Sequence, residues 1–165
     1  MLPNDTYTRL VRLEDLVLGT PTVKFKKLNP RATLPKYMTD EASGMDLFAC
    51  VEFAFSLNPG ESFLVGTGLA IELPLGYEAQ VRPRSGLAAK HGITVLNSPG
   101  TIDSDFLNTE LKVLVVNHSQ RPYKIEPNCR IAQLVVAKTT KVNVVETQET
   151  RTSNRLGGFG STKGF

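Results

Sequence analysis

The sequence predicts an all-β domain, a sandwich or barrel of many short strands. Three observations carry this expectation. From Val23 onward, runs rich in β-branched and aromatic residues recur at short, regular spacing. Gly, Pro and Asn clusters separate the runs at "LNPG" (57–60), "LPLG" (73–76), "NSPG" (97–100) and "EPN" (126–128). The strand-then-helix alternation that a parallel nucleotide-binding sheet needs is missing.

Taken in order, "RLVRLEDLVL" (9–18) sets Leu10, Leu13 and Leu16/Val17 at helical spacing. A short amphipathic helix is therefore expected in an N-terminal arm covering 1–20. Strands are then expected in "VKFKKL", "DLFACVEF", "SFLVGTGLAIEL", "YEAQVRP", "GITVLNS", "LKVLVVN", "RIAQLVVAKT" and "VNVVET". One interruption is helical: in "SGLAAKHG" (85–92), Ser85 can cap a turn of helix and Gly92 can end it. Near the end, "GGFGST" (157–162) cannot build a core. It is either a frayed terminus or a flap whose N–H groups and hydroxyls wrap phosphate oxygens. It is not a P-loop, because Lys163 follows Ser161 and Thr162 rather than preceding them.

Bulk properties narrow the function classes. A chain of 165 residues is expected to form one domain. A net charge of +3 without a run of five basic residues argues against duplex nucleic acid as a partner, yet suits a small polyanionic ligand. No apolar run approaches the length of a membrane span, and no basic start precedes a continuous apolar segment, so a cytoplasmic location is expected. Cys50 and Cys129 lack C-x-x-C spacing and read as reduced thiols. His91 and His118 have no ligand spacing that would favour zinc and read as surface residues.

Four stretches can carry chemistry. In "RPRSGLAAK", Ser85 and Gly86 gather free N–H groups and a hydroxyl at a helix start, and Arg84 adds charge, which makes an anion site; plain helix capping is the alternative. In "NSPGTIDSDF", Pro99-Gly100 makes a tight turn, and Asp103 and Asp105 would share a face on a strand. One of them could hold an attacking water; the alternative is a pair of turn aspartates. In "ASGMDLFA", Asp46 follows a glycine turn and reads as a turn residue. In "RIAQLVV", Arg130 and Gln133 interrupt an apolar strand and need partners, unless the strand is an edge with its polar residues in solvent.

In this order, "ASGMDLFA", "RPRSGLAAK", "GTIDSDF", "RIAQLVV" and "GGFGST" resemble the five motifs of the trimeric dUTPase family. The resemblance runs from about Val23 to the C-terminus and leaves residues 1–20 outside. It implies a jelly-roll-like β-barrel over 21–152, a flexible flap over 153–165, and a homotrimer whose C-terminal segments are exchanged between subunits and whose three sites are each built from all three subunits. It implies hydrolysis of dUTP to dUMP and pyrophosphate with Mg²⁺, supplying thymidylate precursor and keeping uracil out of DNA. The implied partners are dUTP and further copies of the chain, not nucleic acid or a membrane.

Carried over by residue, the resemblance makes Asp103 the water-orienting carboxylate. It gives Arg84, Ser85, Gly86 and Gln133 to the phosphates, and Asp46 to the metal end of the site through water. Asn97, Thr101, Ile102 and the backbone near Lys112 would read uracil, whose donor–acceptor pattern differs from that of cytosine. Phe106 would pack under the deoxyribose. Phe159, Gly160, Ser161 and Thr162 would close over the bound nucleotide. Two departures stand out. Phe106 and Asn108 replace the usual Tyr and Gly, and Asn154-Arg155 replaces Arg-Gly, so that Arg155 is displaced by one position from the arginine expected on the γ-phosphate. Two other readings of the same fold remain open: a dCTP deaminase, for which Glu110 is the nearby acid/base candidate, and a catalytically silent binding module.

Overall fold

The computed structural model describes residues 19–149. The expected arm helix and the flap residues Arg155, Phe159, Gly160, Ser161 and Thr162 lie outside them. The chain runs β1 (Lys24–Lys27), β2 (Lys36–Tyr37), β3 (Met45–Phe48), β4 (Phe55–Leu57), β5 (Ser62–Gly66), β6 (Leu69–Glu72) and β7 (Tyr77–Arg82). The helix α1 (Ser85–His91) follows, and then β8 (Ile93–Val95), β9 (Gly100–Ile102), β10 (Lys112–Asn117), β11 (Tyr123–Ile125) and β12 (Arg130–Lys138). The all-β expectation with one short helix holds.

The largest sheet has the order β2-β3-β12-β7-β9; β5-β10-β8 forms a second, and β1-β6 and β11-β4 are two-stranded ribbons. Every pairing is antiparallel. Alternation explains the burial. In β7, Tyr77, Ala79 and Val81 are buried, while Glu78 and Gln80 are half-buried and Arg82 is exposed. Leu47, Leu57, Val65, Leu111, Val113, Val115 and Ile125 reach full burial in one continuous core. Each such side chain contributes on the order of 2 kcal/mol from burial. Asn117 is a fully buried polar residue and is fully bonded. Its amide donates to Leu57 O and Arg121 O, and its Oδ1 accepts from the Ser119 N–H and hydroxyl. It thereby fastens the β10–β11 connection to β4.

Three expectations need correction, and one alternative falls away. Residues 142–147 form no strand; Val142, Val144 and Val145 are 73%, 91% and 79% exposed, and no strand among the described residues pairs with them. The edge alternative raised for β12 is excluded, since the strand lies between β3 and β7 at the centre of its sheet, and Arg130 and Gln133 find partners. Ser85 does not cap α1. Arg84 occupies the N-cap with extended backbone and no side-chain capping bond, and Ser85 is the first helical residue. Gly92 does end the helix, in left-handed conformation at φ 64°. Asp103 and Asp105 do not share a strand face, because β9 stops at Ile102 and both aspartates sit in the turn that follows.

Candidate active site

The central strand β12 organises one half of the site. Its register sets Gln133 opposite Asp46 on β3 and opposite Arg82 on β7. Asp46 is therefore a strand residue, 8% exposed, rather than a turn residue. Its carboxylate is held from two sides: Oδ1 lies 3.3 Å from Arg84 Nε, and Oδ2 accepts from Arg130 Nη1 at 3.1 Å. Arg84 also donates through Nη1 to Arg130 O at 3.1 Å. Gln133 Nε2 donates to Pro83 O at 2.9 Å, tying β12 to the turn that enters α1. The same turn places Ser85 and Gly86 at the exposed start of the helix, with no acidic residue in its first turn. Asp46, Arg84, Ser85, Gly86, Arg130 and Gln133 line one cavity of about 230 Å³.

Behind this cavity, burial pushes the Cys129 thiol up, a backbone hydrogen bond from Glu126 opposing it. Burial, reinforced by Cys129, likewise raises the Tyr123 hydroxyl, while the Arg84 guanidinium pulls it down.

A second half lies in the connection from β8 to β10. Asn97 packs against Gly100, where a Cβ would come within 3.2 Å of its Nδ2. Thr101 and Ile102 continue on β9, which pairs with β7 so that Ile102 faces Ala79. Asp103 follows at the exposed start of a turn closed by Phe106 N–H to Asp103 O, at 3.1 Å. Phe106 is half-buried and packs on the core. Asn108 adopts φ 58°, the left-handed region that a glycine enters freely and that Asn tolerates better than most residues. The Asn108 departure thus leaves the turn's shape accessible.

The far end of this loop is pinned. Leu111 exchanges backbone bonds with Leu69 and Thr67, Thr67 Oγ1 donates to Leu111 O, and Glu110 Oε1 accepts from Gly68 N–H at 2.9 Å. Glu110 Oε2 also lies 3.5 Å from Lys112 Nζ. Bonded in this way, Glu110 is turned toward the β5–β6 turn and is not presented as a free acid, which counts against the deaminase reading.

Within one chain the two halves line separate cavities. Asp103 lies one residue beyond the Ile102–Ala79 pair, level with Glu78, and Arg84 follows six residues later along β7 and its exit. At strand rise this is a separation of about 20 Å. Asp103 instead lines a cavity of about 420 Å³ with Tyr77, Asp105, Thr139 and Lys141. Of the residues expected from the sequence, Asp46, Arg84, Ser85, Gly86 and Gln133 come together; Asn97 lies against Gly100, Thr101 and Ile102 lie on β9, Phe106 bonds back to Asp103, and Lys112 stands apart on β10 beside Glu110. Arg130 was singled out only as a polar residue needing a partner. Its signal was a charge at the head of an apolar strand, three residues before Gln133. Gly44 gave no signal: a Cβ there would come within 2.6 Å of Gln133 Oε1.

An all-β fold that pairs an arginine-lined anion pocket with a polar, carboxylate-tipped hairpin defines a nucleotide-handling hydrolase. The dUTPase family model matches residues 30–163. A deoxyuridine 5'-triphosphate nucleotidohydrolase of Nautilia profundicola is 52% identical over 141 residues, 85% of this chain and 97% of that protein. The Hydrogenobaculum sp. protein of the same name is 56% identical over 138 residues, 83% and 94% of the two chains. Among solved structures, the dUTPase of Staphylococcus bacteriophage 80alpha with dUPNHPP superposes with a TM-score of 0.77 at 24% identity, covering 87% of this chain and 99% of that one. The chain belongs to the dUTPase family, and its reaction is the hydrolysis of dUTP to dUMP.

Proposed function

We propose that dUTP is hydrolysed at sites built between chains of a homotrimer, the phosphate half coming from one chain and the nucleoside half from another. The observation that carries this is the separation of about 20 Å between Asp103 and Arg84 along β7. In-line attack needs the water held by Asp103 within about 3–3.5 Å of a phosphorus atom whose oxygens are held by the other half. No single chain brings these groups that close.

In this reading Asp103 orients the water and accepts its proton. The new bond joins the water oxygen to the α-phosphorus, the bond from the α-phosphorus to the bridging oxygen breaks, and pyrophosphate departs. Arg84, Ser85, Gly86 and Gln133 bind the chain of phosphates. Asn97, Thr101, Ile102 and the backbone near Lys112 read uracil, and the Phe106 ring lies under the deoxyribose, where a 2′-hydroxyl would collide. Residues 153–165 close as a flap, with Phe159 on uracil, Gly160, Ser161 and Thr162 on phosphate, and Arg155 reaching the γ-phosphate. The exposed segment 142–147, apolar yet strandless here, fits a role as a strand added to a neighbouring copy. Residues 1–20 form a separate arm, and the cytoplasm is the compartment.

The donor set suits Mg²⁺ carried in on the triphosphate. Among the described residues no group of three His, Cys, Asp or Glu could hold a metal. Both oxygens of Asp46 are already engaged by arginines, so its service to the ion runs through water. Mg²⁺ neutralises phosphate charge and is supplied with the substrate. A phage phi11 dUTPase structure from S. aureus is described as revealing the coordination of a structural Mg(II) ion.

Subunit mixing tests the shared site. Asp103→Asn and Gln133→Ala homo-oligomers should each release pyrophosphate from dUTP at least about 10²-fold more slowly than the native protein. Unfolding and refolding the two together should restore a fraction of the native rate, because some sites then combine two intact halves. Absence of any recovery in folded mixtures would place both halves in one chain.

A further inference from the structure

Strict alternation along β12 would put Arg130 and Gln133, three residues apart, on opposite faces. The structure puts them on one face. The register runs Gln133↔Asp46, Ala132↔Leu47 and then Arg130↔Phe48, with a bulge between Arg130 and Ala132. Ile131 is the extra residue and is buried together with Ala132. The bulge re-aims Arg130 from the core side to the side that holds Asp46. A device of this kind at the lip of the phosphate pocket calls for a purpose.

We propose that Arg130 is a positioning residue that sets the aim of Arg84 by occupying half of Asp46. With Oδ2 taken by Arg130, Asp46 offers Arg84 only Oδ1, which Arg84 meets with Nε. The carbonyl of Arg130 receives Arg84 Nη1. Those two contacts fix the plane of the Arg84 guanidinium and leave its Nη2 donors for an anion in the pocket. Without the Arg130 side chain, Asp46 is free to turn and take Arg84 in a two-pronged pair, the arrangement arginine and carboxylate favour. The positive charge meant for phosphate would then be spent within the chain. The proposal rests on Arg84 being a phosphate ligand and names what aims it.

Calorimetric titration of the whole protein with inorganic pyrophosphate, and separately with deoxyuridine, tests this without relying on turnover. Arg130→Gln should weaken pyrophosphate binding about ten-fold, in line with losing a charge-assisted contact, and leave deoxyuridine binding unchanged. Arg130→Lys, whose ammonium still reaches a carboxylate, should recover most of the loss. In an Asp46→Asn background, Arg130→Gln should have no further effect, because Arg130 acts only through that carboxylate. An equal loss in both backgrounds would make Arg130 a direct phosphate contact and overturn the proposal. Unaltered pyrophosphate binding in Arg130→Gln would overturn it as well. If the native protein itself fails to bind pyrophosphate, the phosphate assignment of Arg84 falls instead.

Discussion

At Gly44 a single hydrogen atom shapes the cavity lined by Asp46, Arg84 and Gln133. The Gln133 amide lies where a Cβ would be, at 2.6 Å, and that amide bridges to Pro83 O. Gly44→Ala must push Gln133 off this bond. The dUTP KM should rise by roughly ten-fold, since a hydrogen bond near charge is worth about 1.5 kcal/mol, while melting temperature changes little; an unchanged KM in steady-state assays would free Gln133 from its proposed role. Cys129 gives a second residue-scale expectation. Its folded pKa is raised above the unfolded value by burial. The stability linked to the neutral thiol is therefore complete below the unfolded pKa and is lost as pH rises through the folded one. Urea midpoints should fall on the alkaline side, and Cys129→Ala should flatten that limb even if it lowers the whole curve. Residue types were legible in the sequence wherever chemistry demanded them: Asp103, Arg84, Ser85 and Gln133 stand in their motifs. Gly44 and Arg130 were not legible as site residues, because a steric gap and a bulge exist only after strands pair.

At the scale of elements, strands long enough to show alternation were readable, such as β7, β10 and β12. Strands β2, β4, β9 and β11 were not separated out, since two or three residues carry no period and are strands only by virtue of their partners. "VNVVET" misled for the opposite reason. It has strand composition, but nothing among the described residues pairs with it, and the three valines are exposed. Composition sets what a segment can bury; the neighbour decides whether it does. For the glycine-rich end, the corresponding expectation is functional. Deleting residues 153–165 removes no described core residue, so thermal unfolding should be near native. The rate of dUTP hydrolysis should nevertheless fall by about 10²-fold, because the closure proposed for this segment would be lost; full-length rates from the truncated protein would make this end a mere tail.

At the scale of the molecule, the sheets form one continuous core, but the chemistry falls at the two ends of β7. The fold was legible from punctuation and strand composition, and the family from five ordered motifs. The proposed division of the site came only with the family resemblance, because spacing along a sequence says nothing about distance across a sheet. That division also ties catalysis to mass action. In the proposed reading, a chain whose Asp103 is about 20 Å along the strand from its own Arg84 has no unimolecular activity to offer. Its specific activity is then a property of concentration: proportional to protein when assembly is complete, and of higher reaction order once dilution separates the copies. On the shared-site proposal, a bound nucleotide touching two chains at once would act as a tether that holds the assembly together.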